Sequence, residues 1–230
     1  MTTASVIVVA AGQGRRMGLS QNKVYLALRG RPLLQWAVEA FLNCPAIKQV
    51  VVVVAEGEID LCQQEVIDRL DSDIPIEVCV GGDHRQASVS NGLQKVDPGH
   101  PIVLIHDGAR PLVSSTLIQA VIDAAEVDGA VVPGLPITDS LKQVDEYDRI
   151  VAAPSREYLY RAQTPQGFQY NAIYQALTKA ESEQQQFTDD AGAVAEYMKI
   201  QPRLIPGESR NIKVTTPADL ELAHWLIQQS

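Results

Sequence analysis

The chain has 230 residues, 46% hydrophobic and 20% charged, a globular rather than disordered composition, and at ~100–200 residues per domain it reads as one domain over residues 1–230. Its 19 basic residues against 28 acidic ones give a net charge of −9, which argues against a non-specific binder of nucleic acid or of an anionic membrane. Three scattered cysteines with no CxxC or Cys/His spacing argue against a disulfide framework or a thiolate metal site, and no apolar run approaches the ~18 residues of a membrane span.

The first residues lead straight into a β-branched run, Ser5–Val9, which leaves no room for a signal or transit peptide. With the unpaired cysteines this points to a cytoplasmic protein in a reducing compartment. Further Val- and Ile-rich runs follow at Val50–Ala55, Ile76–Val80, Ile102–Ile105 and Ala130–Val132. Most are apolar at consecutive positions, as in parallel strands buried on both faces. Helix-like segments alternate with them. One starts near Pro32 and runs to about Asn43. Asp60–Leu70, Arg85–Val96 and Ser115–Val127 follow, the last with Ser114 or Ser115 as N-cap. Such alternation defines an α/β fold, a Rossmann-like open and mostly parallel sheet with helices on both faces.

The rhythm breaks after Pro133. The polar stretch Gly134–Arg156 has no helical period, and Leu141–Val144 with Arg149–Ala152 fit a hairpin around Asp145–Asp148. It reads either as a solvated loop or as a projecting arm that serves as a lid or a dimer contact. Helices near Asn171–Glu181 and Asp189–Met198, a strand near Arg203–Ile205 and a helix from Pro217 to Ile227 complete the chain. Thr216 before Pro217 fits an N-cap with proline at the first helical position.

Three loops carry the chemistry. Ala10, Ala11, Gly12, Gln13 and Gly14 follow the first strand, with Arg15, Arg16 and Lys23 just beyond. A glycine-rich turn at a strand's carboxyl end is where open α/β sheets bind ligands, and glycines let backbone amides approach phosphate oxygens. The spacing fails GxGxxG, since Met17 stands where glycine is needed, and fails GxxxxGK[ST], since Leu19 and Ser20 follow Gly18. Its clustered cations suit a triphosphate of about four negative charges. The second loop holds Gly81, Gly82, Asp83, His84, Arg85 and Ser88. Its amides with Asp83 and Ser88 fit the edge of a base, or Asp83 simply caps the next helix. The third holds His106, Asp107, Gly108 and Arg110. Asp107 suits a ribose or a metal, and His106 reads as a satisfied core histidine. Arg156 and Lys213, taken alone, read as surface cations. No Ser–His–Asp or Cys–His set is evident. A phosphate acceptor, with a second pKa of ~6, is largely dianionic at neutral pH and needs no general base. A nucleotide-using transferase that works by positioning and charge stabilisation follows.

At these residues the sequence resembles the 2-C-methyl-D-erythritol 4-phosphate cytidylyltransferase family of the non-mevalonate isoprenoid pathway. The likeness rests on AAGQGRRMG with Lys23, GGDHRQASV, HDGARP, TPQGF at Thr164–Phe168, TDDA at Thr188–Ala191 and NIKVTTPADL at Asn211–Leu220. The resemblance implies transfer of CMP from CTP to the acceptor phosphate by in-line attack on the α-phosphorus, with Mg²⁺ held mainly through the CTP phosphates and no direct protein ligand assigned. It implies that Arg16 and Lys23 stabilise the transition state and that Arg156 and Lys213 position the attacking phosphate. Ala10, Ala11, Gly12, Gly14, Gly82, Asp83, Arg85, Ser88, Asp107 and Gly108 fall at nucleotide positions, and Arg110, Ser140 and Thr164 at acceptor positions. It also implies a homodimer whose arm reaches the neighbouring site. Ser140 stands where relatives often carry Thr, and Asn22 where Pro is common. Ribitol 5-phosphate cytidylyltransferase shares scaffold and chemistry, but HDGARP and Asp139–Lys142 look more like the methylerythritol enzyme. A non-catalytic nucleotide-binding relative would be marked by loss of Arg16, Lys23 or Lys213, and all three stand here.

Overall fold

Residues 2–12 and 22–229 are described by the computed structural model. Strand β1 (Ala4–Val9) leads through the glycine-rich stretch to a 3-10 turn at Lys23–Tyr25 and a small hairpin, β2 (Ala27–Leu28) and β3 (Arg31–Pro32). Then come α1 (Leu33–Leu42), β4 (Ile47–Val54), α2 (Ile59–Glu65), β5 (Ile76–Val80), α3 (Arg85–Leu93), β6 (Ile102–Asp107), α4 (Ser115–Asp128) and β7 (Ala130–Pro136). The arm carries β8 (Gln143–Val144) and β9 (Ile150–Ala152). The chain returns through β10 (Tyr160–Ala162), β11 (Gln166–Gln169), α5 (Tyr170–Ser182), α6 (Asp190–Met198), β12 (Arg203–Pro206) and α7 (Pro217–Leu226).

Strands β5, β4, β1 and β6 lie side by side and parallel. The order continues through β11, antiparallel to both β6 and β7, while β7 also pairs with β10 antiparallel and with β12 parallel. The mostly parallel α/β sheet read from the sequence is therefore present, with two antiparallel additions that it did not announce.

Continuous apolar runs are used on both faces. Val6, Val8, Val50, Val52 and Leu104 face α1 and α4, where they meet Phe41, Ile118 and Ile122. Ile7, Val51, Val53, Val103 and Ile105 face the other side, against Val89 of α3, Ile173 of α5 and Val194 of α6. A helix cover on both faces is what makes such unalternated strands stable.

Local signals set several boundaries. Ser114 Oγ accepts from Leu117 N at 3.0 Å to open α4, and Gly129 closes it at φ +79°, a backbone conformation glycine adopts readily. Thr216 caps α7 in a capping box with Asp219, and Pro217 follows it. Two helices are shorter than expected. Asp60–Leu70 is not continuous, because Val66 leaves helical geometry (φ −124°, ψ −62°) and only a 3-10 turn, Ile67–Arg69, follows. The helix at Arg85 ends at Leu93 rather than Val96. The excursion also shifts. β7 runs on to Pro136, and Ile137 N donates to Leu159 O at 3.1 Å, so the arm leaves and returns just beyond that pair.

Candidate active site

An open pocket of about 680 Å³ lies at the carboxyl ends of β1, β4, β5 and β6. The chain leaves β1 toward β4 and later returns to β6 on its other side, the switch point at which open α/β sheets leave a crevice. From the first loop Ala10, Ala11, Gly12 and Lys23 line it. Gly14, Arg15 and Arg16 lie outside the described residues. Lys23 Nζ donates to Val214 O at 2.9 Å, which ties the first loop to the segment before α7.

The second loop contributes Gly82, Asp83, Arg85 and Ser88 to the same pocket. His84, not Asp83, caps α3: its Nδ1 accepts from Ala87 N at 3.2 Å. Asp83 therefore stays exposed at the pocket, free of the capping role. Buried Ser88 holds this turn together. Its hydroxyl donates to His84 O and accepts from Gly82 N, both at 3.1 Å. A Cβ on Gly81 would lie 2.6 Å from Ser88 Oγ and 2.7 Å from Ala11 Cβ, so the two loops meet there only because the side chain is absent.

The third loop supplies Asp107, where cations converge. Lys213 Nζ lies 2.8 Å and Arg110 Nε 3.5 Å from Asp107 Oδ2, and Arg85 Nε lies 3.6 Å from Oδ1. Burial alone would raise this carboxyl, but Lys213, Arg85 and Arg110 together hold it well below the ordinary carboxylate range. Lys213 comes from a distant segment, pinned where Val214 N donates to Ala109 O at 2.8 Å. Arg110 is buried and donates to Asn211 O at 2.8 Å; burial depresses its pKa. Gly108 packs against the floor, where a Cβ would sit 3.0 Å from Leu34 Cδ1 and 3.2 Å from Val9 O.

His106 is the satisfied core histidine that the sequence favoured. It is fully buried, and burial lowers its pKa to about 4. The Arg110 carbonyl, 3.1 Å from Nε2, only accepts, so Nε2 carries the proton. Nδ1 then accepts from the Thr164 hydroxyl at 3.2 Å, and that hydroxyl accepts from Asp107 N at 3.0 Å. Thr164 thus braces the backbone at Asp107 from beneath and does not line the pocket.

Ser140 and Arg156 lie on the exposed arm, outside this pocket. Arg156 donates to the Thr138 carbonyl. Sequence reasoning missed Glu56 and Thr215, which also line the pocket. Glu56 follows the end of β4, so the rule that singled out the other loops would have found it. It also gave no role to Asn211, whose Nδ2 donates to Thr164 O at 2.8 Å. Among the described residues no group of three or more His, Cys, Asp or Glu is placed to hold a metal. Both Asp107 oxygens face cations, so the described residues do not build a metal cage by themselves.

A glycine-lined crevice at a sheet switch point, with lysines from two separate segments and a cation-bound aspartate, is the arrangement a nucleotide-dependent transferase needs. The family model described as 2-C-methyl-D-erythritol 4-phosphate cytidylyltransferase matches residues 4–229. A protein of that name from Clostridium botulinum is 40% identical over 225 residues, 98% of this chain and 99% of its own. Another, from Syntrophotalea carbinolica, is 43% identical over 219 residues, 95% and 93% of the two chains. The crystal structure of the 2-C-methyl-D-erythritol 4-phosphate cytidylyltransferase of Thermus thermophilus superposes with a TM-score of 0.80 at 32% identity, over 99% of this chain and 100% of the other. The 4-diphosphocytidyl-2C-methyl-D-erythritol synthase of Anaerococcus prevotii gives 0.85 at 28% identity, over 99% and 96%. The chain belongs to the 2-C-methyl-D-erythritol 4-phosphate cytidylyltransferase family and is a nucleotidyltransferase.

Proposed function

We propose that this chain transfers the cytidylyl group of CTP to 2-C-methyl-D-erythritol 4-phosphate, giving 4-diphosphocytidyl-2-C-methyl-D-erythritol and pyrophosphate. The observation that carries the reading is the convergence of Lys23, Gly82, Ser88, Asp107 and Lys213, drawn from four separate segments, on one pocket. The acceptor phosphate attacks the α-phosphorus in line with the departing pyrophosphate. Being mostly dianionic at neutral pH, it needs no proton removed, and the protein's task is alignment and charge stabilisation.

Lys23, with Arg16, is assigned to the charge that grows on the α-phosphoryl oxygens. Lys213, steadied by Asp107, is assigned to the acceptor phosphate. Ser88 supports cytosine selection by its bonding. A hydroxyl has one proton and two lone pairs; the Ser88 proton faces backbone carbonyls, His84 O at 3.1 Å and Gly82 O at 3.4 Å, and one lone pair accepts from Gly82 N. The remaining acceptor position suits the exocyclic amino group of cytosine and not the carbonyl of uracil.

Mg²⁺ belongs to this reading as an ion carried on the CTP phosphates, where it would neutralise their charge. The arm is assigned to a homodimer, with Ser140 and Arg156 reaching the partner's pocket. Support comes from its exposed apolar groups, among them Tyr147, Ile150, Val151 and Tyr158, since apolar side chains held out on one short arm fit a protein interface. One sheet draws strands from Ala4 to Pro206, which supports residues 1–230 as one nucleotidyltransferase domain. No helix among the described residues is long and apolar enough to cross a membrane, and a cytoplasmic location stays part of the proposal. Pyrophosphate release from CTP, measured with 2-C-methyl-D-erythritol 4-phosphate and with ribitol 5-phosphate in turn, tests it. Turnover with the ribitol phosphate alone would overturn the choice of acceptor.

A further inference from the structure

Asp190 is a carboxylate only 2% exposed in the first turn of α6, and the transfer chemistry described above makes no use of it. A carboxylate withdrawn from water persists where a counter-charge meets it. Here the counter-charge is Arg85, with Nη1 2.8 Å from Asp190 Oδ2. Asp190 is itself firmly mounted. Its neighbour Asp189 accepts from Gly192 N at 3.0 Å to cap α6, and Gln166 of β11 donates to Asp189 Oδ2 at 3.0 Å and accepts from Ala191 N at 3.2 Å. The start of α6 is thus bolted to the sheet beside the pocket.

Arg85, the first residue of α3, extends the line. Its Nε reaches toward Asp107 Oδ1, and Asp107 Oδ2 holds Lys213. Charges therefore alternate from Asp190 to Arg85 to Asp107 to Lys213. We propose that Asp190 is a positioning residue which, through Arg85, orients the Asp107 carboxylate and so places Lys213 for the acceptor phosphate.

Arg85 lines the pocket, but carboxylates meet it on two sides, so it acts there as a strut, where the family resemblance implied a nucleotide position. The planar guanidinium presents several donors and can meet both carboxylates at once, which a lysine ammonium at the same site cannot do in the same geometry. With Asp190 neutral, Arg85 has only Asp107 to pair with. It is drawn toward that carboxylate and competes with Lys213 for it. The loss falls on the acceptor side, because Gly81, Gly82 and Ser88 keep their own hydrogen bonds.

The inference rests on the proposed reading that Lys213 meets the acceptor phosphate. Its test uses Asp190→Asn, nearly the same shape without the charge, Arg85→Lys, and the double variant, in the full chain. For each, kcat and both KM values are measured with CTP and 2-C-methyl-D-erythritol 4-phosphate, and CTP affinity is read by calorimetry without acceptor. Expected is a roughly 10–100-fold fall in kcat/KM for the acceptor, the scale of a small misplacement of a reacting group. CTP affinity should stay within about twofold, and the double variant should be no worse than the poorer single one, as for links of one chain. A parallel loss of CTP affinity would overturn the strut and make Arg85 a nucleotide contact. Unchanged acceptor kinetics in a folded Asp190→Asn protein would reduce Asp190 to a structural residue, and additive losses would break the chain. If Asp190→Asn does not fold, Arg85→Lys alone decides by the same split. The unsubstituted chain is run alongside: absence of turnover there counts against the reaction itself, and turnover there with unaffected variants counts against the strut.

Discussion

The side-chain amide of Asn22 donates to the main-chain carbonyl of Ala10 at 2.8 Å, joining the two ends of the glycine-rich stretch. The same amide reaches Glu58 Oε2 at 3.0 Å, and Asn22 Oδ1 accepts from Val24 N at 3.3 Å. One buried residue thereby fixes the start of the Lys23 turn against the end of β1. A proline there would have no side-chain amide to make that tie. Asn22→Ala is expected to cost about 1–2 kcal/mol, the scale of losing a buried hydrogen bond and leaving its acceptor short of a donor. CTP affinity should weaken with it. Urea unfolding and calorimetry check both. Lower stability with unchanged CTP affinity would confine Asn22 to folding.

Lys23 stands at the pocket with its ammonium directed to Val214 O, next to Lys213. If it meets charge that grows only as the phosphorus–oxygen bonds change, its loss falls on turnover. Lys23→Ala should lower kcat by roughly 10²–10³-fold. A near-normal kcat with a raised KM for CTP would move Lys23 to ground-state binding.

Base choice should depend on Gly81, because an added Cβ would lie 2.6 Å from Ser88 Oγ. The parent protein is expected to favour CTP over UTP by well over ~10-fold in kcat/KM, since a mispaired group at the C4 position of the base costs ~1–3 kcal/mol. Gly81→Ala should push the Ser88 hydroxyl aside and narrow that ratio. Steady-state kinetics with both nucleotides decide it, and a ratio left intact would take base reading away from Ser88.

His106 sets a stability window of its own. Folded, it titrates at about 4 because it is buried, against ~6.5 when unfolded. Between those values the unfolded chain holds the extra proton, so stability rises with pH across the window. The contribution of neutral His106 is complete above about pH 6.5 and shrinks by about 3 kcal/mol on the way down to pH 4. Asp107 acts lower. Its carboxyl is depressed in the folded state, so its contribution is present above about pH 4 and fades below it. His106→Gln should therefore be less stable than the parent at pH 7, with a gap that narrows toward pH 4. Urea midpoints along a pH series measure this, and a constant gap would assign the acid sensitivity to other groups.

What the sequence revealed and what it hid differ by range. Thr216, Pro217 and Asp219 build a helix start from neighbouring residues, so the pattern was legible. The glycines and cations after β1, β5 and β6 were legible because each loop concentrates its chemistry within a few positions. Strand β11 was not. Gln166, Gly167, Phe168 and Gln169 show no strand alternation, and they become a strand only by pairing with β6 and β7. Gly167 is needed there because a Cβ would lie 2.6 Å from Val121 Cγ1 of α4, a contact no local pattern announces. The pairing of Asp190 with Arg85 was hidden for the same reason. TDDA was recognisable as a motif, but its partner sits on another helix.

The arm offers the sharpest test of the proposed assembly. Its hairpin pairs Gln143 with Ala152 and Val144 with Ile150, and the tip is closed on itself, with Asp145 Oδ1 accepting from Tyr147 N and Arg149 N at 2.9 Å each. A lone two-stranded hairpin is marginal in water. This one nevertheless leaves Tyr147 72% and Ile150 65% exposed, and nearby Tyr158 85%. Apolar groups held out on such a support are expected to be covered by a second copy of the chain. Arg156 sits at the base of the same arm and outside the pocket of its own chain, so in the proposed dimer it is expected to complete the neighbour's acceptor site. Deleting Val144–Arg149 should weaken the dimer and raise the acceptor KM. CTP affinity should change little, since Gly12, Gly82 and Ser88 remain in place. Sedimentation gives the assembly state and calorimetry the CTP affinity of the deletion protein. A monomer that kept full acceptor affinity and turnover would mean that each chain holds a whole site, and that Arg156 serves the arm's own fold through its bond to the Thr138 carbonyl.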